Sequence, residues 1–124
     1  MSIRSYADLE VWQRSMELVV TVYDVTARFP EREQFGLTAQ LRRAAVSIPC
    51  NIAEGQGRKS TPEFRRHLSI GLGSLNEVET CLRIAVRLGY LQAPQVEPLL
   101  VACAEIGRMA NGLHRALLAP RRGN

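Results

Sequence analysis

Residues 36–57 constrain the fold of this chain more than any other stretch of the sequence. Their apolar side chains recur every three or four positions, which is the spacing of one face of an α-helix. These side chains are Leu37, Leu41, Ala44, Ala45, Ile48 and Ile52. Pro49 lies inside the predicted helix, where it removes a backbone N–H and its ring crowds the carbonyl of Ala45. We therefore expect a helix that bends near Pro49.

A polar stripe runs along the same predicted helix, also at three- and four-residue spacing. It consists of Gln40, Arg43, Ser47, Asn51 and Glu54. With Glu77 or Glu79 from a later segment, these side chains predict a polar network between two helices. Such a network can fix helix register and satisfy backbone groups freed at the proline. The alternative is a polar pocket for a ligand.

Four helical segments account for the chain, and no stretch has the alternation or the hairpin turns of β-strands. The expected bounds are 6–29, 36–57, 60–88 and 94–118. Ser5 with Asp8, and Ser60 with Glu63, have the spacing of capping boxes. Gly89 fits the left-handed position that follows a helix.

Short connections between these segments favour antiparallel neighbours. The sequence therefore predicts an all-α fold, an up-down-up-down four-helix bundle over residues 1–119. The basic tail, residues 120–124, lacks apolar side chains and is expected to be disordered.

The first predicted helix is apolar along two lines. The first line has the spacing of a core seam and consists of Leu9, Trp12, Met16, Val19 and Tyr23. The second line consists of Val11, Leu18, Val22 and Val25. A helix that is apolar on two faces needs two partners. We therefore expect the second line to contact another subunit of a homo-oligomer.

The third predicted helix contains two glycines, Gly71 and Gly73. Each costs about 1 kcal/mol relative to alanine in a helix interior. Glycines retained in such positions usually mark a close approach of another backbone. We expect a neighbouring helix against both.

The sequence also resembles a known family of bacterial four-helix-bundle proteins. The resemblance rests on LTAQLRRAAVSIPCNIAEG at 37–55, on IGLGSLNEVET at 70–80 and on LGYL at 88–91. Further matches are Tyr6, Asp8-Leu9, Val11-Trp12, Leu18 and Phe64. The family comprises proteins encoded within intervening sequences of large-subunit ribosomal RNA genes, and the resemblance covers residues 6–117.

This resemblance implies a four-helix bundle that assembles into a ring. Related proteins include the accessory variability determinant protein of diversity-generating retroelements. That protein is a cyclic pentamer with a basic surface, and it acts with a reverse transcriptase and RNA. The resemblance therefore implies a pentamer and a nucleic-acid-handling partner. The matching positions are structural ones, so no catalytic residue follows from them.

The charge of the chain is compatible with a nucleic-acid partner. The net charge is +4 and the isoelectric point is about 9.4. Arg58, Lys59, Arg65 and Arg66 cluster around the connection between the second and third predicted helices. No aromatic residues are interleaved for base stacking, so contacts would be made to phosphate. The alternative is an ordinary solvated face.

The sequence lacks the motifs of the common metal, phosphate-binding and cysteine sites. A di-iron bundle uses Glu-x-x-His pairs, whereas Phe64 and Asn111 stand three residues before His67 and His114. No glycine-rich phosphate loop is present. The three cysteines form no C-x-x-C pair and are interpreted as small buried hydrophobes; they are Cys50, Cys81 and Cys103. We expect no metal, cofactor or catalytic residue.

One pattern suggests an enzyme. Arg108 followed by His114 resembles the arginine–histidine spacing of some helical-bundle ribonucleases. On a regular helix the two side chains would lie about 120° apart.

Three functional hypotheses follow. The first is a non-enzymatic homo-oligomeric scaffold that binds nucleic acid, in particular RNA, or a nucleic-acid-handling protein. The second is a protein–protein interaction module with no nucleic-acid role. The third and most distant is an RNA-cleaving enzyme that uses Arg108 and His114. No apolar run spans a membrane and no signal-peptide core is evident, so we expect a cytoplasmic protein.

Overall fold

The computed structural model describes residues 5–118 and contains, within that range, four α-helices and no β-strand. The helices are α1 (Glu10–Thr26), α2 (Leu37–Gln56), α3 (Thr61–Arg87) and α4 (Ala93–Ala116). Two short 3₁₀ turns, Tyr6–Asp8 and Glu31–Glu33, precede α1 and α2. The prediction of an all-α chain with four helices is confirmed. The predicted disordered tail, residues 120–124, lies outside the described residues.

Each helix packs against two others. α1 contacts α2 and α4, and α3 contacts the same two helices. The buried apolar side chains of all four helices form one core. Among the helices of residues 5–118, none is long and apolar enough to cross a membrane. The largest fully buried side chains include Leu41, Ile48, Ile52, Leu68, Leu82 and Ile106.

The first helix is shorter than the sequence predicts. Ser5 does form a capping box with Asp8, but the box caps a 3₁₀ turn. Leu9 then has an extended backbone, with φ −79° and ψ 125°, so α1 begins at Glu10. At the other end, Phe29 precedes a proline, and this position disfavours helical dihedrals.

Ser60 and Gly89 cap the two ends of α3 as predicted, although only one of the two hydrogen bonds of a Ser60–Glu63 capping box is present. The backbone N–H of Glu63 donates to Ser60 Oγ at 3.3 Å. Beyond the last turn, Gly89 has a φ of 81°, a left-handed conformation that favours glycine. The N–H of Tyr90 then reaches back to the carbonyl of Ala85 at 2.9 Å. These contacts confirm the predicted start and end of α3.

A carboxylate ties the α1–α2 connection to the α3–α4 connection. Glu33 Oε1 accepts from the N–H of Leu37 at 3.1 Å, in the first turn of α2. Its Oε2 accepts from the hydroxyl of Tyr90 at 2.7 Å. The Tyr90 bond, followed by the Leu37 bond, lowers the pKa of Glu33 below its ordinary value. The ring of Tyr90 also packs on Phe29, with centroids 5.5 Å apart.

The assignment of faces on α1 is corrected by the structure. Val11, Leu18 and Val22 lie in the core of the single chain, and Val25 is half-buried against it. Three fully enclosed side chains cannot contact another subunit, so the predicted interface is wrong for them. The outer face of α1 instead exposes Met16, Val20 and Tyr23, with Val20 at 61%. Met16 and Tyr23 belong to the line that the sequence predicts as the core seam.

Two buried hydroxyls account for the difference between the predicted and the observed core face of α1. Ser15 lies on the core face between Val11 and Leu18, and Thr26 lies on the same face one turn after Val22. Ser15 Oγ donates to the carbonyl of Val11, and Thr26 Oγ1 to that of Val22, each at 2.7 Å. Because each hydroxyl is satisfied within the helix, it can be buried at low cost. In the sequence both residues resemble solvent-facing positions.

Glycine permits the closest contact between α2 and α3, at a position the sequence did not indicate. A Cβ on Gly55 would lie 2.8 Å from the Cβ of His67 and 2.9 Å from a ring carbon of Phe64. Gly71 does face α2, but a Cβ there would meet Asn51 at an ordinary 3.7 Å. A Cβ on Gly73 would meet nothing within 4 Å, so its predicted close approach is wrong.

The contact at Gly55 can be tested with a matched pair of alanine substitutions. We expect Gly55→Ala to lower the free energy of unfolding by about 1–2 kcal/mol, because overpacking outweighs the gain in helix propensity. Gly73→Ala should raise it by up to about 1 kcal/mol, because only the propensity changes. Urea unfolding followed by circular dichroism measures both. Equal stabilities of the two variants would contradict the close packing at Gly55.

Candidate nucleic-acid interface and polar network

The predicted basic cluster lies where the chain turns from α2 into α3. Arg58 and Lys59 occupy the turn, and Arg66 lies in the second turn of α3; all three are exposed. Arg65 is half-buried, and its Nε is enclosed without a hydrogen-bond partner among the described residues. The short connection therefore places three solvated cations on one end of the molecule, with the fourth partly withdrawn.

Among residues 5–118, one weak ion pair competes for these cations. Arg58 Nη2 lies 3.4 Å from Glu54 Oε2, and both side chains are largely solvated. Exposed pairs one helical turn apart contribute about 0.3–0.5 kcal/mol. Arg58 can therefore exchange this carboxylate for a phosphate at little cost. A surface of this kind attracts polyanions through charge and reads no base sequence.

Between α2 and α3, a chain of hydrogen bonds centres on Asn51. Asn51 Nδ2 donates to the carbonyl of Ser47 at 2.9 Å and to Ser47 Oγ at 3.0 Å. Ser47 Oγ also lies 2.8 Å from Ser74 Oγ across the helix pair. Asn51 Oδ1 lies 3.1 Å from Nδ1 of His67. Since this oxygen can only accept, Nδ1 of His67 carries the proton.

His67 joins this polar network to the basic surface. Its side chain is buried, with the residue only 4% exposed. Nε2 has no hydrogen-bond partner among the described residues, and it lies 3.6 Å from Glu54 Oε2. The same Glu54 oxygen contacts Arg58. The network thus runs from Ser74 in the helix interface to the turn that carries the cations.

Two members of this network, His67 and Ser74, are not among the residues that the sequence predicts for it. In the sequence, His67 stands out only as a possible metal ligand. The available signal was periodicity, since His67, Gly71 and Ser74 have the four- and three-residue spacing of one helix face. That face of α3 packs on the stripe of α2 that holds Asn51.

Four predicted members lie outside the partly buried part of the network; they are Gln40, Arg43, Glu54 and Glu77, and all are exposed. Gln40 Nε2 donates to Glu77 Oε2 at 3.3 Å, but the pair is exposed and separate. Arg43 is exposed and pairs with neither Glu77 nor Glu79. At 100° per residue, Arg43 lies about 80° around α2 from Asn51 and so turns away from α3. The expected pairing of Arg43 across the helices is therefore wrong.

Arg108 and His114 find their contacts separately. His114 Nε2 lies 3.4 Å from Ser69 Oγ on α3, and the ring is half-buried. Arg108 is exposed and lines a groove between α3 and α4. No hydrogen bond joins the two side chains within the described residues. The geometry therefore adds nothing in favour of an arginine–histidine catalytic pair.

Cys81 and Cys103 are buried as predicted, whereas Cys50 is exposed, so the prediction of a buried side chain is wrong for Cys50. The two buried cysteines are unsuited to nucleophilic chemistry. Burial, with a smaller contribution from Glu79, raises the pKa of Cys103 to about 12. Burial, with a contribution from Glu77, also raises the pKa of Cys81. Both thiols therefore stay protonated at neutral pH. Within residues 5–118, no three His, Cys, Asp or Glu side chains group as a metal site would require.

The polar network predicts an uneven response to leucine substitutions along the stripe. We expect Asn51→Leu to lower the free energy of unfolding by about 1–3 kcal/mol, because Nδ1 of buried His67 loses its partner. Gln40→Leu is the control and should change stability by less than about 0.5 kcal/mol, since its hydrogen bond is exposed. Urea unfolding measures both. The same midpoint for both variants would show that the network contributes nothing to stability.

Comparisons with known proteins agree with this architecture. Residues 7–112 match the family model of the 23S rRNA-intervening sequence protein. The chain is also similar to a solved protein from Bacteroides thetaiotaomicron VPI-5482, a member of the S23 ribosomal protein family with unknown function. The two share 27% identity with a TM-score of 0.78, over 84% of this chain and 97% of the other. No curated protein matches this chain.

A family match that covers most of the described residues, with the four helices and one shared core, leaves a single assignment. The chain belongs to the family of 23S rRNA-intervening sequence proteins.

Proposed function

We propose that the protein is a non-enzymatic homo-oligomeric scaffold that binds RNA through the basic turn between α2 and α3. In this proposal each subunit is an up-down-up-down bundle, and several subunits close into a cytoplasmic ring. The observation that carries the proposal is the exposure of Arg58, Lys59 and Arg66 on one end of the molecule. In this proposal the scaffold needs no cofactor, because it binds an RNA strand and a partner protein without catalysing a reaction.

The connections between helices support the proposed topology. Residues 57–60 join α2 to α3, and residues 88–92 join α3 to α4. Connections this short require antiparallel neighbours when the helices are long. The cyclic contacts, in which α1 also meets α4, are those of an up-down-up-down bundle.

Exposed apolar side chains on α1 and α2 support assembly. Tyr23, Phe35 and Val46 line one groove of about 550 Å³, and Phe35 is 90% exposed. Val20 lies one helical turn before Tyr23 and is also exposed. Patches of contiguous apolar surface usually mark interaction sites. This outer face takes over the role that the sequence assigned to the valines now found in the core.

Assembly can be tested by mutating the outer face. We expect light scattering on the eluting protein to give a closed oligomer, five subunits being the number implied by the family resemblance. Val20→Glu/Phe35→Glu should shift it to monomer, because buried charges without partners oppose association. Val101→Glu, at an exposed position on α4, should leave the assembly intact. A monomeric parent at micromolar concentration would overturn the ring.

RNA binding is supported by charge and by family membership. The chain carries a net charge of +4, and the family takes its description from 23S rRNA intervening sequences. One subunit offers at most about four phosphate contacts, which bind weakly at physiological salt. A ring presents several copies of the turn, so each additional contact forms at high effective concentration. The binding should therefore depend on assembly.

We expect the assembled protein to bind mixed-sequence single-stranded RNA, with affinity that falls steeply as salt rises. Arg58→Glu/Arg66→Glu should weaken binding by about tenfold or more at low salt, because two cationic contacts become repulsive. Single-stranded DNA should compete with RNA for this surface, since phosphate contacts are common to both. Fluorescence anisotropy across a salt series gives the affinities and their slopes.

The control for this experiment is Arg28→Glu/Arg87→Glu, which makes the same charge change at two exposed arginines outside the turn. If net charge alone matters, both double variants weaken binding equally and the turn is not a site. A parent that binds no RNA at low salt would overturn RNA binding altogether.

The second candidate is a protein–protein interaction module. The observation in its favour is the exposed groove with Phe35, which can receive apolar side chains of a partner. It becomes the leading proposal if RNA binding fails while the outer face still drives association.

A further inference from the structure

A second basic surface lies far along the chain from the α2–α3 turn. α3 and α4 diverge to leave an open groove of about 690 Å³ between them. Its floor is apolar and includes Leu72, Leu75, Gly107 and the protonated thiol of Cys103. The walls are polar. Arg108 lines this groove, and in the sequence it stands out only as half of a possible catalytic pair.

The α4 wall of this groove is cationic. Arg108, Asn111 and Arg115 follow at three- and four-residue spacing, so they share one face of α4. Both arginines are exposed, and neither forms an ion pair with any residue of 5–118. They stand about 10 Å apart along the helix axis, at 1.5 Å per residue. A ligand with one charge would leave one of them unused.

The α3 wall has the opposite character. Asn76 and Glu79 line it, and neither bears positive charge. Glu79 likewise has no cationic partner among the described residues. An ionised carboxylate can only accept hydrogen bonds, and it repels phosphate. The groove thus favours an elongated ligand that is anionic along one edge and offers hydrogen-bond donors along the other.

We propose that this groove is a second RNA subsite, in which successive phosphates of a single strand follow Arg108 and Arg115 on α4. The inference rests on the proposed RNA-binding function. Glu79 keeps phosphates off the α3 wall and accepts from donors on the sugar or base edge. Asn76 on the α3 wall accepts from or donates to the same edge, and Asn111 on the α4 wall donates to the phosphates between the two arginines. The 2′-hydroxyl is the donor that RNA has and DNA lacks, so this subsite favours RNA.

The test is Arg108→Gln/Arg115→Gln in the full chain, with short single-stranded RNA as the probe. The slope of log affinity against log salt is negative, and it should become shallower by about 1.4, since each lost phosphate contact on a single strand removes about 0.7. Arg28→Gln/Arg87→Gln removes the same charge from two exposed arginines that do not line the groove. It should keep the parent slope.

Removing a negative charge from the opposite wall of the groove tests the same site. Glu79→Gln should tighten RNA binding, because it removes the repulsion between the α3 wall and the phosphates. It should also narrow the preference for RNA over DNA, because the carboxylate acceptor becomes a weaker one. The unfolding midpoint of each variant, compared with the parent, establishes that the fold is unchanged.

The outcomes separate this inference from the function on which it rests. If RNA binding by the parent depends on Arg58 and Arg66 but not on Arg108 and Arg115, the groove is not a subsite and the scaffold proposal stands. If the parent binds no RNA, both fail. If Glu79→Gln leaves affinity and the RNA preference unchanged, the assignment of the α3 wall is wrong.

Discussion

The close contact of α2 with α3 at Gly55 is the constraint on which the rest of the structure depends. With no Cβ at this position, the helix backbones approach until His67 and Phe64 cover the glycine. That approach brings Nδ1 of His67 to Asn51 and seals the histidine from solvent. Residues 57–60 alone join the two helices, so Arg58 and Lys59 lie at one end of the helix pair.

The polar network between these helices is directional and partly buried. Its inner part, Ser47, Asn51 and Ser74, is satisfied by short hydrogen bonds, whereas its outer part, Glu54 and Arg58, is solvated. His67 lies between the two, and its Nε2 has no hydrogen-bond partner among residues 5–118 and lies 3.6 Å from Glu54 Oε2. Because unsatisfied buried groups cost more than satisfied ones contribute, register errors between α2 and α3 would be penalised at each of these positions.

The distribution of exposed groups separates three surfaces of the chain. The outer face of α1 and the residues that lead into α2 expose several large apolar side chains, of which Phe35 is the most exposed. The α2–α3 turn is cationic, and the α3–α4 groove has one cationic and one acidic wall. The cations of the turn and of the groove are different residues from the apolar side chains proposed for assembly, so separate substitutions test the two proposals.

The sequence by itself determined the helices, because periodicity, capping residues and glycine signals are local: the start of α3 at Ser60 and its end at Gly89 follow from neighbouring residues alone. It also placed Ser47 and Asn51 on one stripe of α2. Which side of α1 faces the core was decided only by tertiary structure, since Ser15 and Thr26 satisfy their hydroxyls on their own helix and thereby allow burial among the valines. The partners of Asn51, the tight contact at Gly55 and the opposed walls of the α3–α4 groove likewise needed the fold. Each depends on the rotation and separation of two helices, which no spacing within a single helix can specify.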